Sequence, residues 1–486
     1  MKTSGVVLKN KYLLLLIFFS LFSFINAQQL PDKQQVLEKM KLANTYFTTK
    51  WPDPSINIVT NKSRPSNLWT RGTYYEGLMQ LYALTRDASL YKYATDWGTS
   101  HQWQPTYTGT TVTRNADNQC CGQTYLELFQ QEPTKTERIA TMQTSIDAMV
   151  NSTKVNDWWW VDALQMAMPV FAKFGVIKND TKYFEKMYDL YNYTKNLATG
   201  SGLYNKADSL WYRDSTFLPP KTSPNGLHVY WSRGNGWVFA ALARTMDVIP
   251  ATAPHRDEYV TTFKQMAAKL IRLQRTDGFW NCNLGDPNDF GGKESSGTVF
   301  FTYGLAWGIN HGLLDSLTYS PYVAKAWNGL VNDALHADGS IGYMQSSGSK
   351  PADGQPLSYS KIPDFEDFGL GGFLLAGSEV YRLIGNTKTT TGVVTMHNEK
   401  CNLTAYPNPF SANIQIKCSS SFANTGLTIL DASGHQVYNF KTEIKTGDSL
   451  VWNGKSMSGT SLSNGLYFVS LQDGNQQQSL KIMLMR

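Results

Sequence analysis

Apolar residues recur at helical spacing from about residue 33 to residue 385, with breaks rich in Gly, Pro, Asn and Trp. A 3.6-residue period with one apolar face predicts amphipathic helices. Twelve segments follow this pattern: 33–48, 72–86, 89–101, 121–131, 136–150, 161–175, 181–197, 234–248, 256–274, 297–313, 320–335 and 366–383. Because an (α/α)6 barrel is built from twelve helices, the pattern predicts an all-α barrel over residues 28–385.

Three connections between these segments are long and rich in Gly, Trp, Asp and Asn, at residues 106–118, 200–231 and 277–296. Long loops in a compact domain are usually functional. We therefore expect them to wall a pocket at one end of the barrel.

The pattern changes after Arg382. Residues 386–402 are polar and read as a linker, whereas residues 403–486 alternate apolar and polar positions between turn signals. Short alternating strands over about eighty residues predict a small β-sandwich that folds independently of the helices.

The first 27 residues carry three lysines before a short apolar run that ends near Ala27. This arrangement predicts a cleavable signal peptide and a secreted or cell-surface protein. No later run is apolar and long enough to predict a membrane span.

Composition narrows the function classes. Removal of the predicted signal peptide lowers the formal charge from +6 to about +3, which gives no support to a nucleic-acid partner. The five cysteines fit no zinc motif, so we predict neither a metal nor a cofactor. The 14 Trp and the 13% aromatic content suit stacking on sugars, or simply a Trp-rich core.

Two acidic residues are candidates for catalysis. Asp162 follows three consecutive Trp in WWWVDALQMAMPVF, and Asp117 lies in RNADNQCCG at the end of a polar loop. Each could be a helix cap, because an Asp near a helix start satisfies free N–H groups. Alternatively, an apolar wall raises the pKa of such a carboxyl and suits it to acid–base chemistry.

The segment YWSRGNGW brings an Arg and two Trp together before a predicted helix. Arg233 has the planar geometry that holds a carboxylate through two hydrogen bonds, while Trp231 is suited to stacking on a sugar ring. The alternative is a structural Arg that caps backbone carbonyls.

Four motifs in order, WWWVDALQMAMPVF, YWSRGNGW, ESSGTVFFTYGLAWGI and DFGLGGFLLAGSEVYRL, resemble glycoside hydrolase family 105, the unsaturated rhamnogalacturonyl and glucuronyl hydrolases. The resemblance implies that Asp162 is the general acid/base and that Asp117 assists it. It also implies that Trp160, Trp231 and Arg233 line the subsite for an unsaturated uronate.

We add Trp69 and Tyr212 as further predicted substrate contacts. The sequence departs from the family in one loop, where members often carry a His and this chain reads LWYRDSTF. Tyr212 or Arg213 then takes that role, whereas His228 lies nearby in a different place. The departure leaves substrate preference open.

The implied reaction removes a 4,5-unsaturated uronic acid from the non-reducing end of a lyase-generated oligosaccharide, derived from ulvan or rhamnogalacturonan, by hydration of the C4=C5 bond. One alternative is a conventional two-carboxylate exo-glycosidase. Another is a non-catalytic surface protein that only stacks glycans. A chain-cleaving lyase of similar architecture is a further rival.

The C-terminal region resembles the sorting domain of the type IX secretion system. The resemblance rests on the motif YPNPF at 406–410, the turn at Gly434, NGLYF at 464–468 and the late basic residue Lys481. It implies a partner in the secretion machinery. The alternative is an ordinary sandwich that binds carbohydrate or acts as a spacer.

Overall fold

The structure is a computed structural model. It describes residues 30–59, 63–106, 112–363, 367–386, 403–418, 426–431, 436–440, 449–473 and 476–486. The chain divides into two compact units, Met1–Lys388 and Thr389–Arg486. The predicted signal peptide at 1–27 lies outside the described residues, as does the predicted linker at 386–402 except for its first residue.

The described part of the first unit contains thirteen α-helices. They are α1 (Lys33–Lys50), α2 (Trp69–Thr85), α3 (Ala88–Ser100), α4 (Ala116–Gln119), α5 (Gly122–Gln131), α6 (Glu137–Val150), α7 (Asp162–Lys178), α8 (Lys182–Asn192), α9 (Ser232–Val248), α10 (Arg256–Leu273), α11 (Ser295–Asn310), α12 (Ser316–Gly329) and α13 (Asp367–Asn386). Two short strand pairs join them: β1 (Ile58–Val59) with β2 (Ser63–Arg64), and β3 (Tyr204–Asn205) with β4 (Leu210–Trp211).

Six helices form a closed inner ring in the order α2, α5, α7, α9, α11, α13, and each neighbours the next. The inner helices α7, α9 and α11 are buried around most of their circumference. For example, α11 buries every residue from Ser295 to Ile309. The outer helices α1, α3, α6, α8, α10 and α12 bury one face only, as amphipathic helices do. The predicted (α/α)6 barrel is confirmed, and α4 is an additional single turn.

Helix starts follow local capping chemistry. The side chains of Asp32, Asp87 and Asp315 accept hydrogen bonds from backbone N–H groups in the first turns of α1, α3 and α12. These residues fix where these three outer helices begin, so their starts could be predicted to within a few positions.

The inner helices run in the same direction, because each is followed by an outer helix that returns the chain. Their N-termini therefore meet at one end of the barrel. There α9 and α11 approach closely, since a Cβ atom on Gly297 would lie 2.1 Å from Ser232 Oγ. Glycine at this position allows the two helix starts to pack together.

The second unit is a small β-sandwich, as predicted. Its strands are β5 (Leu403–Tyr406), β6 (Ile414–Cys418), β7 (Gly426–Asp431), β8 (Gln436–Phe440), β9 (Ser449–Trp452), β10 (Gly465–Asp473) and β11 (Gln476–Leu484). A four-stranded antiparallel sheet has the order β11-β10-β7-β8, and a three-stranded one has the order β5-β6-β9. The two share one apolar core around Ile416, Ile429, Trp452 and Val469.

No helix among the described residues is sufficiently long and apolar to cross a membrane.

Candidate active site

Asp162 is the first residue of α7, at the end of the barrel where the inner helices begin. A hydrogen bond from the backbone N–H of Val161 to the carbonyl of Arg213, 3.0 Å long, ties this helix start to the loop that precedes α9. The loop is therefore fixed beside Asp162 by the backbone itself.

The Asp162 side chain is 12% exposed, and one of its oxygens, Oδ2, accepts a hydrogen bond of 3.1 Å from an Nη of Arg213. The other oxygen, Oδ1, is buried and has no hydrogen-bond partner among the described residues. Burial raises the pKa of Asp162, and the Arg213 guanidinium opposes that rise. Only one of the two carboxyl oxygens is therefore engaged by another described side chain.

Asp117 lies in the short helix α4, half-buried, and Asn115 caps that helix by accepting from the Asp117 N–H. Burial raises the pKa of Asp117 to about 7, with a further contribution from the nearby Asp162 carboxylate and an opposing one from Arg213. The structure therefore places the two predicted catalytic acids near enough for their charges to interact, and the pKa of Asp117 suits proton exchange near neutral pH.

Arg213 joins two carboxylates. One Nη donates to Asp162, and the other donates to Asp214 Oδ2 over 2.7 Å. Asp214 in turn accepts hydrogen bonds from the backbone N–H and the hydroxyl of Thr216. Of the two residues proposed for the family His position, Arg213 is the one that contacts Asp162.

Arg233 lies in the first turn of α9 and is completely buried. Its guanidinium donates to Ser296 Oγ and to the backbone carbonyls of Gln345 and Ser346, at 2.8–3.2 Å. Burial lowers its pKa to about 10. These contacts match the alternative of a structural Arg, and direct binding of a substrate carboxylate by Arg233 stays a prediction.

Trp231 precedes α9 and is also buried, with the Arg233 guanidinium 4.5 Å from the centre of its ring. Its indole N–H donates to the Gln345 side chain over 2.8 Å. The Gln345 amide then donates to the carbonyls of Lys350, Pro351 and Asp353. Trp231 and Arg233 together fix the shape of the 345–353 loop.

Trp69 is the first residue of α2 and is half-buried, with its ring 5.6 Å from that of Phe368. Phe368 also lies 4.7 Å from the Arg233 guanidinium. The predicted contacts Trp69, Trp231 and Arg233 are thus linked through Phe368, which the sequence reasoning did not single out although it lies in the DFGLGGF motif.

Trp160 is 5% exposed, whereas its neighbour Trp159 is 52% exposed and has its ring 4.7 Å away. Tyr212 is placed differently from the others. Its hydroxyl forms hydrogen bonds with His228 Nδ1 at 3.0 Å and with the Tyr230 hydroxyl at 3.4 Å. Substrate contact by Trp160 and by Tyr212 stays a prediction.

Asp214 and Gln345 are further residues that the sequence reasoning missed. The signal for Asp214 was its position next to Arg213 in the departing loop. Gln345 had no signal, because its role depends on a loop more than 110 residues away in the chain from Trp231.

A second group of charged side chains lies within the barrel wall. This core cluster consists of Glu76, Glu127, Lys173 and Arg244, of which Glu76 is fully buried. Glu76 accepts from the Gln165 amide at 2.8 Å and pairs with Arg244 at 3.3 Å. Burial raises the pKa of Glu76 to about 7, against the effect of Arg244.

The described residues include no group of three or more His, Cys, Asp or Glu side chains that is arranged to hold a metal ion.

Comparison with known families gives two matches. A family model described as Glycosyl Hydrolase Family 88 matches residues 39–384, and one described as a secretion system C-terminal sorting domain matches residues 404–485.

Individual relatives agree with the first match. An unsaturated 3S-rhamnoglycuronyl hydrolase of Formosa agariphila is 35% identical over 334 residues, which are 65% of this chain and 84% of the relative. A glycosyl hydrolase family 88 structure from Bacteroides vulgatus is 34% identical with a TM-score of 0.66, covering 73% of this chain and all of that one. A structure described as a polysaccharide lyase is 32% identical with a TM-score of 0.67, covering 74% of this chain and 99% of that one.

Proposed function

Since the chain belongs to glycosyl hydrolase family 88, within the group that also includes family 105, we propose that it removes a 4,5-unsaturated uronic acid from the non-reducing end of an oligosaccharide. The proposal is supported by the name of the Formosa agariphila relative and by the pair of acids at the end of the barrel. The protein is a glycosidase, and the unsaturated uronate is its proposed substrate.

The first step is protonation of the double bond. Asp162 donates its proton to C4, and the positive charge that develops at C5 is stabilised by the ring oxygen. A carboxyl group serves as this acid only if its pKa lies near the working pH. The burial of Asp162 raises its pKa in the required direction.

The second step is addition of water at C5. A carboxylate takes one proton from the water molecule while the oxygen of the water bonds to C5, which gives a hemiketal at C5. Asp117 is the assisting group, because it lies close enough to Asp162 for the charge of one to raise the pKa of the other. The hemiketal then opens by cleavage of the bond between C5 and the ring oxygen, and the hemiacetal left at C1 releases the aglycone.

The observation that carries the proposal is the environment of Asp162. It has one oxygen held by Arg213 and one buried oxygen without a partner among the described residues. A carboxyl that served only as a helix cap would accept from a backbone N–H of the first turn, as Asp32 Oδ1 does from Gln35 at the start of α1.

The substrate proposed is one in which the unsaturated uronate is joined to rhamnose, from ulvan or rhamnogalacturonan. The support is the name of the Formosa agariphila relative, which specifies a 3S-rhamnoglycuronyl substrate for that protein.

The C-terminal unit is a type IX sorting domain, which directs the protein to the cell surface or the extracellular space. We further propose that residues 1–27 are removed as a signal peptide before this step. N-terminal sequencing of the exported protein tests the cleavage site, and a protein that begins at Met1 would contradict it.

Absorbance of the conjugated double bond tests the reaction. Ulvan, pectin and glycosaminoglycan oligosaccharides made by lyases are each incubated with the protein. We expect absorbance to fall with the rhamnose-linked substrates, with Asp162→Asn as the control that abolishes the change.

The rival functions give different results in the same assay. A lyase, as the name of one similar structure suggests for that protein, makes absorbance rise on intact polysaccharide. A conventional exo-glycosidase or a glycan-binding protein leaves it unchanged. Either result would refute the proposed function.

A further inference from the structure

The loop between β4 and α9 links three charged side chains in series: Asp214, Arg213 and Asp162. Arg213 donates to Asp214 at 2.7 Å through one Nη and to Asp162 at 3.1 Å through the other. Asp214 and Asp162 are side chains of different elements, so the guanidinium bridges the loop and the start of α7.

We propose that Arg213 is the positioning residue of the general acid, and that it assigns the transferable proton of Asp162 to Oδ1. The inference rests on the proposed function, in which Asp162 is that acid. It goes further by naming the carboxyl oxygen that reacts and the two residues, Arg213 and Asp214, that determine it.

The assignment of the proton follows from hydrogen-bond chemistry. A guanidinium only donates hydrogen bonds, so the oxygen that faces it must accept. Asp162 Oδ2 is that oxygen, and a proton on it would compete with the proton of Arg213. The acid proton is therefore on Oδ1, which is buried and has no partner among the described residues.

The guanidinium is fixed from both sides. Asp214 accepts from the N–H and hydroxyl of Thr216 at 2.9 and 2.5 Å, which holds its carboxylate to the loop backbone. The carbonyl of Arg213 accepts from the Val161 N–H at 3.0 Å, which holds the backbone of this residue to α7. Rotation of Asp162 would break a contact that the surrounding chain keeps in place.

Charge supports the same role. The groups that act on Asp162 are Arg213 and Asp214 of the loop, Arg233 of α9 and the nearby Asp117 of α4. Burial raises the pKa of Asp162, and Arg213 is the strongest opposing influence. The arginine thus keeps the buried acid able to lose its proton during turnover.

The test measures the pH dependence of turnover and the pKa of Asp162 itself. The variants are Arg213→Ala, Arg213→Lys and Asp214→Asn. Arg256→Ala is the matched control, because it also removes one positive charge but lies at the start of α10, beside the C-terminal end of α9.

Substitutions of Arg213 and of Asp214 are expected to shift the pKa of Asp162 in opposite directions. Loss of the Arg213 charge should raise the pKa of Asp162 and move the alkaline limb of the pH profile upward. Loss of the Asp214 charge should lower the pKa of Asp162 and move the same limb downward. We expect kcat to fall by up to about 10²-fold in Arg213→Ala, less in Arg213→Lys, and by less than twofold in the control.

The carbon-13 chemical shift of the Asp162 carboxyl, assigned with Asp162→Asn, reports the same pKa without any substrate. An unchanged pKa in both Arg213 variants would overturn the inference, whatever the activity. If the wild type hydrates no unsaturated substrate, the proposed function fails, while the measured pKa still decides the role of Arg213. Thermal unfolding of each variant confirms that the protein is folded.

Discussion

The barrel contains two groups of buried charged side chains, the core cluster and the candidate active site. Each includes an acid with a raised pKa, but the two groups differ in how their carboxyl oxygens are hydrogen-bonded. The core cluster includes Glu76, and the site contains Asp117, and burial raises the pKa of each to about 7. Both Glu76 oxygens have partners: Arg244 and the Gln165 amide at one, and the Cys120 thiol at the other. In the site, Asp162 keeps a buried oxygen without a partner among the described residues.

The comparison shows that a raised pKa by itself does not identify a catalytic acid. Burial alone produces the shift, and a structural ion-pair network experiences the same burial. What distinguishes Asp162 from Glu76 is a carboxyl oxygen that has no partner among the described residues, together with a position at the N-terminal end of the inner helices. The core cluster instead uses complementary charges to join α2, α5, α7 and α9.

The sharpest test of the comparison is Asp162→Asn. The amide keeps the shape of the side chain but cannot deliver a proton, so we expect turnover to fall by roughly 10²–10⁴-fold with little loss of stability. Steady-state kinetics and thermal unfolding measure the two effects. A folded variant with a near-normal rate would show that Asp162 is not the acid.

A substitution in the core cluster should instead lower stability and leave turnover nearly unchanged. Arg244→Met leaves Glu76 and Glu127 without one of their cations, and breaking a buried ion pair costs about 3–5 kcal/mol of the free energy of unfolding. We expect urea denaturation to show this loss, while the turnover of the folded protein changes little.

The double variant Glu76→Gln with Arg244→Met is the control for this prediction, because it removes both charges of the closest pair. It should be more stable than Arg244→Met alone. A large fall in kcat of the folded Arg244→Met protein would mean that the core cluster takes part in catalysis.

A smaller effect is expected from Asp117→Asn on stability. The folded-state pKa of about 7 lies above the ordinary value of 3.8, so the folded protein holds this proton more tightly than the unfolded chain does. The carboxyl therefore favours folding at low pH, and this advantage is lost as pH rises from about 4 to 7.

Above pH 7 the buried charge destabilises the wild type, and we expect Asp117→Asn to be more stable there by about 1–2 kcal/mol, allowing for partial exposure of the side chain. Thermal unfolding at pH 5 and pH 8 measures the difference. Equal stabilisation at both pH values would show that the pKa of Asp117 is not raised.

The smallest effect is expected from ending the chain at residue 390. The helical unit and the sandwich have separate apolar cores, with no residue in common. We expect kcat/KM and the melting temperature of the helical unit to stay within error of those of the full chain. Loss of activity with retained helicity would show that the sandwich helps to build the site.

The sequence by itself predicted the twelve main helices and the β-rich C-terminal region, whereas α4 and the strand pairs β1–β2 and β3–β4 were not predicted. Helical periodicity and Asp caps are local, so twelve helices and their approximate limits could be read from neighbouring residues. The change to alternating positions after Arg382 likewise predicted the sandwich. Asp162 and Asp117 could be named as candidate acids because each lies beside a distinctive local motif, and the family resemblance suggested their roles.

Only the tertiary structure decided what each side chain contacts. Asp162 meets Arg213 across 51 positions of the chain, and Arg233 meets the carbonyls of residues more than 110 positions away. The two arginines look equally suited to an anion in the sequence. Their surroundings separate them, because the free energy of a buried charge depends on the partners that folding places around it, and no local pattern encodes those partners.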